Sequence, residues 1–302
     1  MKRPAAERLA RRLQRERPEI SYSRAKRAVE EGQVTVDGVR VNEPGRLVGP
    51  AALVVWDANR PVEHAVPRPK VDLLHVDEDV AVAVKPAGLL TQPTTDREKD
   101  TLLSRVSLAV ARRRTDRPYV AVVHRLDKDT SGLVVFALSR RALETLQRQL
   151  ASRALTRIYD VIVEGDLERD AGTYERDLAG DGTHRRRWVA RPGEKGKPAR
   201  TNWEVIARFG GVATHVRVSL ETGRTHQIRI HFAAADHPVL GDRVYRPRQW
   251  SEPLIEAPRQ ALHAGEIAFQ HPADGRRLRF TTPLPEDLRG LLAKLRRGVK
   301  KR

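Results

Sequence analysis

The chain of 302 residues contains no cysteine and no long hydrophobic run. Without cysteine, disulfide scaffolds, thiolate nucleophiles and cysteine-bound metals are excluded. The absence of disulfides suits a protein of the reducing cytoplasm. The basic start, MKRPAAERLARRLQ, lacks the apolar stretch of a secretory signal, and the apolar run at 133–138 is far too short to cross a bilayer. We therefore expect a soluble, cytoplasmic protein with no membrane association.

Sequence motifs that bind nucleotides or metal ions are also missing. Neither GxxxxGK[ST] nor GxGxxG occurs, and His226 and His231 are five residues apart rather than four as in HExxH. We therefore expect no cofactor and no bound metal.

Acidic residues are too few to balance the basic ones. The chain has 57 Lys and Arg against 39 Asp and Glu, which gives a formal net charge of +18. An excess of this size favours a polyanionic partner, and nucleic acid is the usual one. An anionic membrane surface is the alternative, but no long amphipathic basic helix supports it.

Residues 1–58 have the pattern of a small separate unit. Leu9 and Leu13 form the apolar stripe of a first helix, and Ser23 is the expected N-cap of a second helix. The segment QVTVDGVRVN then alternates apolar and polar residues around a DG dipeptide, which is a strong hairpin signal. The pattern predicts two helices, a hairpin and one further strand.

The rest of the chain divides into a linker, a large domain and a tail. Residues 59–70 carry three prolines without periodicity and are typical of a linker. Mixed strand and helix patterns over 71–290 predict an α+β domain, with polar surface turns at 166–200. The segment LLAKLRRGVKKR at 291–302 has basic residues and no acidic one, and we expect a basic tail there.

Four separated stretches resemble, in the same order, the motifs of one enzyme family, the RluA-type pseudouridine synthases. They are VDEDVAVAVKPAGLLTQP at 76–93, HRLDKDTSGLVVFA at 124–137 with RIYDVIVEG at 157–165, ETGRTHQIRIHFAAADHPVLGDRVY at 221–245 and ALHAGEIAFQHP at 261–272. Arg157 departs from the pattern, since a lysine is more usual before the Ile-Tyr pair.

The resemblance extends to the first unit, which is similar to the S4 RNA-binding domain often attached to these enzymes. It implies a mixed, largely antiparallel catalytic sheet preceded by a small S4 (α-L-like) domain. The implied reaction converts a uridine in structured RNA to pseudouridine, and the enzyme is expected to act as a monomer.

The resemblance implies that Asp127 of HRLDKDTSG is the nucleophile. A carboxylate can attack covalently, but burial disfavours its charged form, so that a nearby cation is needed. The resemblance places Arg229 of HQIR beside it. Whether the carboxylate adds to C6 of the base or to C1′ of the ribose stays open. Taken alone, Asp127 also fits an Asx turn between two strands.

Further residues of the motifs have implied roles in handling the RNA. Tyr159 offers a flat face to the flipped base and a hydroxyl near the proton that must leave. Arg125, two residues before the nucleophile, would enter the space that the extruded uridine vacates. Lys85 and Arg224 complete the expected RNA contacts of this domain.

Two histidines within the motifs, His124 and His226, are interpreted as structural hydrogen-bonding residues rather than bases. In the S4-like unit, six basic side chains are expected to meet the RNA backbone: Arg8, Arg11, Arg12, Arg24, Lys26 and Arg27. Because S4 domains commonly accompany ribosomal members of the family, the resemblance favours large-subunit ribosomal RNA as the substrate.

Three other functions remain as alternatives. The same catalyst could act on tRNA or another structured RNA, which the S4-like unit mildly disfavours. A ribosome-assembly protein with a vestigial site is disfavoured by the intact Arg125, Asp127, Tyr159 and Arg229. An RNA methyltransferase would need a glycine-rich loop for S-adenosylmethionine after its first strand, and the sequence has none.

Overall fold

The computed structural model describes residues 7–60, 71–94, 98–113, 118–180, 187–247, 250 and 255–298. Most of the expected linker and the last four residues of the expected tail lie outside this part of the chain. Contacts between Cα atoms divide the chain into two units, Met1–Pro69 and Lys70–Arg302. None of the described helices is both long enough and apolar enough to span a membrane.

The first unit combines two helices with five short strands. They are β1 (Glu7–Arg8), α1 (Leu9–Glu16), α2 (Tyr22–Glu30), β2 (Val34–Val36), β3 (Val39–Arg40), β4 (Leu47–Val48) and β5 (Val54–Trp56). β2 lies between β3 and β5, and β1 pairs with β4. The stripe of Leu9 and Leu13 is buried in one cluster with Ala25, Ala28 and Val29 of α2, so the periodicity of the sequence is that of the packed helix faces.

The second helix of this unit begins two residues earlier than the sequence analysis predicts. Ser21, not Ser23, is the N-cap, because its backbone is extended and its side chain accepts the N–H of Arg24 at 3.2 Å. The hairpin between β2 and β3 turns at Asp37 and Gly38, whose φ angles are 51° and 78°. Positive φ at both central residues is the requirement of a type I′ turn, which DG dipeptides satisfy.

In its described residues, the second unit has four helices packed around a large sheet, and the strands Leu178–Gly180 and Arg187–Val189 form a separate pair. Its elements are β6 (Asp72–Val76), β7 (Val80–Lys85), α3 (Leu102–Ala111), β8 (Ala121–Val122), β9 (Ser131–Ala137), α4 (Arg140–Ala151), β10 (Thr156–Glu164), β11 (Ala171–Glu175), β12 (Leu178–Gly180), β13 (Arg187–Val189), β14 (Arg200–Arg208), β15 (Ala213–Leu220), α5 (Gln227–Ala233), β16 (Leu262–Gln270), β17 (Arg277–Thr281) and α6 (Glu286–Arg296).

The sheet has ten strands, in the order β11-β14-β15-β10-β16-β9-β7-β6, with β17 beside β16 and β8 beside β9. The pairing of β16 with β9 is parallel, whereas the other described pairs in this sheet are antiparallel. A mixed, largely antiparallel sheet in an α+β protein confirms the predicted fold class.

The strand β9, with the sequence SGLVVFA, has an uninterrupted apolar run from Leu133 to Ala137, and all of its residues are buried. Successive side chains of a strand point to opposite faces. Val134 and Phe136 enter the cluster that includes residues of α3, α5 and α6. Leu133 and Val135 enter a second cluster with residues of α4. Both faces of the sheet are therefore covered where the strand leaves the loop that contains Asp127.

The segment 166–200, predicted to form only turns, contains three strands in its described part: β11, β12 and β13. β11 pairs with β14 at the sheet edge, where Gly172 lies so close to Trp203 that a Cβ would come within 2.6 Å of the indole. Edge strands with one exposed face carry many polar residues, and this hid the strand pattern.

The predicted tail begins too early. α6 continues to Arg296, and its Leu291, Leu292 and Leu295 are buried in the main core cluster. These leucines lie on one face of the helix and pack it against the second unit, although basic residues surround them in the sequence.

Candidate active site

A cleft of about 630 Å³ opens in the second unit. Its wall contains the side chains that the sequence analysis assigned to the reaction, namely Asp127, Tyr159 and Arg229, together with Arg125 and Arg224. Segments separated by about a hundred residues in the sequence thus meet at one place. Lys85 is not part of this wall.

The loop that carries Asp127 leaves the short strand β8 and enters β9 at Ser131. It forms a tight turn in which the N–H of Thr130 donates to the carbonyl of Asp127 at 3.1 Å. Thr91 fixes the preceding residue, since its hydroxyl is bonded to both the carbonyl and the N–H of Leu126. Gly132 ends the loop with φ of 119°, and a Cβ there would come within 2.3 Å of the backbone of Ala264. Only glycine fits this junction.

Arg229 lies on α5 and reaches the nucleophile candidate directly. Its Nη1 donates to Oδ2 of Asp127 at 3.1 Å, so the pairing that the resemblance implies is present in the structure. The arginine side chain is 6% exposed and that of Asp127 is 18% exposed. Asp127 is therefore open to the cleft, while its cation is held in the wall.

A second carboxylate, Asp242, holds Arg229 in place. Arg229 donates to it through Nε at 2.6 Å and through Nη2 at 2.9 Å, a bidentate pair. The backbone N–H groups of Val244 and Tyr245 also donate to Oδ1 of Asp242. Burial raises the pKa of the Asp242 carboxyl, but Arg229 and these N–H groups outweigh burial and lower it. Burial lowers the pKa of Arg229, but Asp242 and Asp127 outweigh burial and raise it.

The sequence analysis missed the role of Asp242. Asp242 lies in the GDRVY end of the third motif. The only hint of its role in the sequence is that an acidic residue follows Arg229 by thirteen positions. That signal is weak by itself, because acidic residues after a glycine are common in surface turns. Its side chain is 0% exposed, and its two hydrogen bonds from Arg229 connect it to the site.

Tyr159 lies in β10 and is 4% exposed. The register between β10 and β16 shifts between Ile158 and Asp160, so the regular pairing with β16 is interrupted where Tyr159 meets the cleft. Burial raises the pKa of the tyrosine hydroxyl, which is thus neutral near pH 7. A buried aromatic ring on the wall of the cleft provides an apolar surface for a flat ligand.

Arg125 and Arg224 are exposed at the cleft, as contacts to a large polyanion require. Nε of Arg224 donates to the carbonyl of Pro198, and its backbone N–H donates to Gln227. Gln227 also accepts from the hydroxyl of Thr222. The amide of Gln227 thus fixes the turn that presents Arg224.

Arg157, the departure from the family pattern, lies beneath this turn. It is 6% exposed, and its Nη2 donates to the carbonyl of Thr222 at 3.4 Å. A Cβ on Gly223 would come within 2.8 Å of Nη1 of Arg157. Because Gly223 has no side chain, there is room beside it for the guanidinium of Arg157.

The structure does not support an RNA contact by Lys85. The residue is 0% exposed, and its Nζ donates to the carbonyls of Pro86, Leu89 and Lys128 at 3.0, 2.6 and 2.7 Å. Burial lowers the pKa of Lys85 to about 7, although the charges of Asp127 and Asp129 oppose this shift. Lys85 supports the Asp127 loop from behind, because it lies at the end of β7 and is paired with Gly132 of β9, where that loop enters the sheet.

The six basic residues of the first unit are not equally available. Arg8, Arg11, Lys26 and Arg27 are exposed, and Arg27 pairs with Glu31 at 3.0 Å. The other two have contacts within the unit. Arg12 pairs with Glu16 and donates to the carbonyl of Pro50, and Arg24 lies over the ring of Trp56 at 5.5 Å.

Two family models match the chain. The family model described as RNA pseudouridylate synthase matches residues 79–234, and that of the S4 domain matches residues 7–54. Ribosomal large subunit pseudouridine synthase D of Pseudomonas aeruginosa is 38% identical over 290 residues, covering 92% of this chain and 89% of the relative. The protein of that name from Neisseria meningitidis serogroup B is 38% identical over 292 residues, covering 92% and 76%.

Two further matches extend the comparison. An uncharacterized RNA pseudouridine synthase of Aquifex aeolicus is 33% identical over 297 residues, covering 94% of this chain and 92% of the relative. The solved structure of human RNA Pseudouridylate Synthase Domain Containing 4 matches with a TM-score of 0.60 at 22% identity, over 74% of this chain and 93% of that one. The latter likeness shows the shared fold.

The chain therefore belongs to the RNA pseudouridine synthase family, in its RluA-type branch with an S4 domain at the N-terminal side. It is an enzyme that isomerises uridine to pseudouridine in RNA.

Proposed function

We propose that this enzyme modifies uridines of large-subunit ribosomal RNA and that Asp127 is its nucleophile. The observation that carries the nucleophile is the contact of Asp127 with Arg229 at 3.1 Å on the wall of an open cleft. The substrate class is supported by relatives named ribosomal large subunit pseudouridine synthase D, which align with 92% of the chain.

The isomerisation breaks the N-glycosidic bond, turns the uracil and joins C5 to the same ribose carbon. A carboxylate that forms a covalent intermediate divides this reaction into easier steps. Arg229 donates to Asp127 and places a positive charge beside it, and Asp242 holds the arginine through two hydrogen bonds. The attacked atom is either C6 of the base or C1′ of the ribose.

The target uridine must leave the RNA stack to reach a recessed carboxylate, at a cost of about a few kcal/mol. Arg125 is exposed and two residues from Asp127, and in our proposal it contacts the RNA where the base has left. Tyr159 then packs against the flipped uracil with its ring. Arg224, on the fixed turn before α5, contacts the RNA backbone.

The first unit, residues 1–58 in our proposal, adds affinity without chemistry. The exposed Arg8, Arg11 and Lys26 have no ion pair with another described residue, so their charges are available to phosphates. Each phosphate that they neutralise would steepen the salt dependence of binding by roughly 0.7 to 0.9 of a log unit per log unit of salt.

We further propose that the enzyme acts as a monomer in the cytoplasm, where ribosomal particles are assembled in bacteria such as those of the relatives. Asp127, Tyr159 and Arg229 of one chain meet in the same cleft, which supports a site formed within a single copy.

Mapping of pseudouridine across total RNA tests the proposal. Cells without the gene should lose pseudouridine at positions in large-subunit ribosomal RNA. The wild-type gene should restore them, and the Asp127→Asn variant should not. Losses confined to tRNA would contradict the substrate, whereas restoration by Asp127→Asn would contradict the nucleophile.

A further inference from the structure

His226 lies on the cleft wall next to the reacting carboxylate, but the mechanism above gives it no part. It precedes α5 as its N-cap residue and has a left-handed backbone, with φ of 59°. A side chain other than glycine in this region costs free energy, and such residues cluster at functional sites. Because α5 also carries Arg229, the strained turn decides where both side chains enter the cleft.

The imidazole of His226 has one hydrogen-bond partner, Tyr245, and one more distant polar neighbour, Asp127. Its Nδ1 lies 2.8 Å from the hydroxyl of Tyr245, and its Nε2 lies 3.8 Å from Oδ2 of Asp127. Oδ2 is also the oxygen that accepts from Arg229. Arg229 and His226 thus both face Oδ2 of Asp127.

The protonation of His226 follows from these contacts. Burial lowers the pKa of the imidazole; Asp127 and Asp242 oppose this shift, and Arg229 and Arg125 add to it. The ring is therefore neutral near pH 7 and carries one proton. If that proton were on Nδ1, the lone pair of Nε2 would face a carboxylate, which is repulsive. With the hydroxyl of Tyr245 donating to Nδ1, the proton is on Nε2 and faces Oδ2.

We propose that His226 is a positioning residue for the nucleophile. Its Nε2–H, oriented by Tyr245, donates to Oδ2 of Asp127 in the RNA-bound enzyme, so that Oδ2 is occupied by two donors and Oδ1 is the atom that attacks. This inference rests on Asp127 being the nucleophile. It changes the structural interpretation of His226 made from the sequence.

The distance of 3.8 Å is too long for a hydrogen bond. Hydrogen bonds of active sites are often long without substrate and shorten when it binds. A movement of about 1 Å suffices here, since about 2.8 Å is the length of a charge-assisted N–H···O bond. Because the proton stays on Nε2, His226 does not act as the base that removes the proton from C5.

Tyr245 connects the same arrangement to Arg229. The guanidinium of Arg229 lies 5.0 Å from the centre of the Tyr245 ring, and the backbone N–H of Tyr245 donates to Asp242. One residue thus orients the imidazole through its hydroxyl and supports the arginine through its ring. The two functions can be separated, because Tyr245→Phe removes only the hydroxyl.

Single-turnover rates and RNA affinities of His226→Leu, His226→Gln and Tyr245→Phe test the proposal. His226→Leu lacks a donor and should react at least about tenfold more slowly, with RNA affinity within about threefold of the wild type. His226→Gln places an amide N–H near the position of Nε2 and should recover most of the rate. Tyr245→Phe should slow the wild type about threefold or more but have no further effect in His226→Leu, because the imidazole that it orients is gone.

The pH dependence adds a readout that packing alone would not move. Without the donor, the charged carboxylate is less favoured, so the acid limb of activity should move to higher pH in His226→Leu and stay in place in His226→Gln. A wild-type rate in His226→Leu would overturn the proposal, as would equal losses in His226→Leu and His226→Gln.

If His226→Leu does not fold, Tyr245→Phe decides alone, and an unchanged rate in that variant would overturn the proposal. The two hypotheses fail separately. An active Asp127→Asn enzyme would remove the nucleophile, whereas an inactive Asp127→Asn together with a fully active His226→Leu would remove only the role of His226.

Discussion

The loop that carries Asp127 is held from two sides by buried cations, and the two sides differ in chemistry. On the cleft side, Arg229 contacts carboxylates, those of Asp127 and Asp242. On the rear side, Lys85 contacts three backbone carbonyls, one of which belongs to Lys128 in the loop. The cleft side therefore holds the side chain of Asp127 beside a positive charge, whereas the rear side fixes the path of the backbone.

The charged form of Asp242 stabilises the fold, whereas the charged form of Lys85 destabilises it. The pKa of Asp242 is lowered from 3.8, so the stability from its pairing with Arg229 is present at neutral pH and is lost as pH falls below that value. The pKa of Lys85 is lowered from 10.5 to about 7. Burial of its charge therefore costs most below pH 7, and stability rises with pH between 7 and 10.5.

A third contact joins the rear of the loop to the last helix. Arg259 donates to the carbonyl of Asp129 at 2.9 Å and to the hydroxyl of Ser131 at 3.0 Å. It also pairs with Asp287 at the start of α6 at 2.7 Å. The rear support thus includes the start of α6, whose residues from 291 onward were predicted to belong to a tail.

Replacement of Arg229 should have the largest effect among the supporting residues. Arg229→Ala leaves Asp242 buried without a counter-charge and Asp127 without its donor. We expect activity to fall at least about a hundredfold and the free energy of unfolding to fall by about 3–5 kcal/mol, measured by single turnover and by denaturant unfolding. Adding Asp242→Asn to this variant should restore part of the stability but no activity. Recovery of activity in the double variant would show that the arginine is only structural.

Asp242→Asn should have a smaller effect on the same side. Arg229 keeps its contact with Asp127 but loses a bidentate partner, so its guanidinium is less well placed and the single-turnover rate should fall about tenfold. The variant should also lack the decrease in stability that we expect for the wild type as the pH falls below 3.8, because the pKa of Asp242 is lowered from that value. An unchanged rate together with an unchanged pH dependence of unfolding would contradict the role of Asp242.

Lys85→Met should have the smallest effect on the reaction and should act mainly through stability. It leaves three carbonyls without their donor, which we expect to cost about 1–3 kcal/mol in the free energy of unfolding. The difference from the wild type should grow between pH 7 and pH 9, because only the wild type gains stability there. Lys128→Met, at a neighbouring exposed lysine, is the matched control and should unfold like the wild type at both values.

The parts of this site that were predictable from the sequence are those that short motifs carry. Asp127, Tyr159 and Arg229 lie in separate motifs, and the resemblance placed them together as the structure does. The paired strands around the HRLDKDTSG segment were also visible, because their apolar runs are local.

The other features of the site could not be predicted, because they depend on contacts between residues that are far apart in the sequence. Lys85 meets the carbonyl of a residue 43 positions away, and only the sheet order makes that lysine buried. The roles of Asp242 and Tyr245 require the chain after α5 to return to the cleft. The edge strand β11 was hidden because half of its side chains face water.

The most direct test of the account is a single-turnover measurement of pseudouridine formation by Asp127→Asn, on an RNA that the wild type modifies. The asparagine has nearly the same shape as the aspartate but cannot attack as a carboxylate. We expect no product above background, with the dissociation constant for RNA within about threefold of the wild-type value, since the charge lost is one that repels phosphate. Product formation at the wild-type rate would contradict the account.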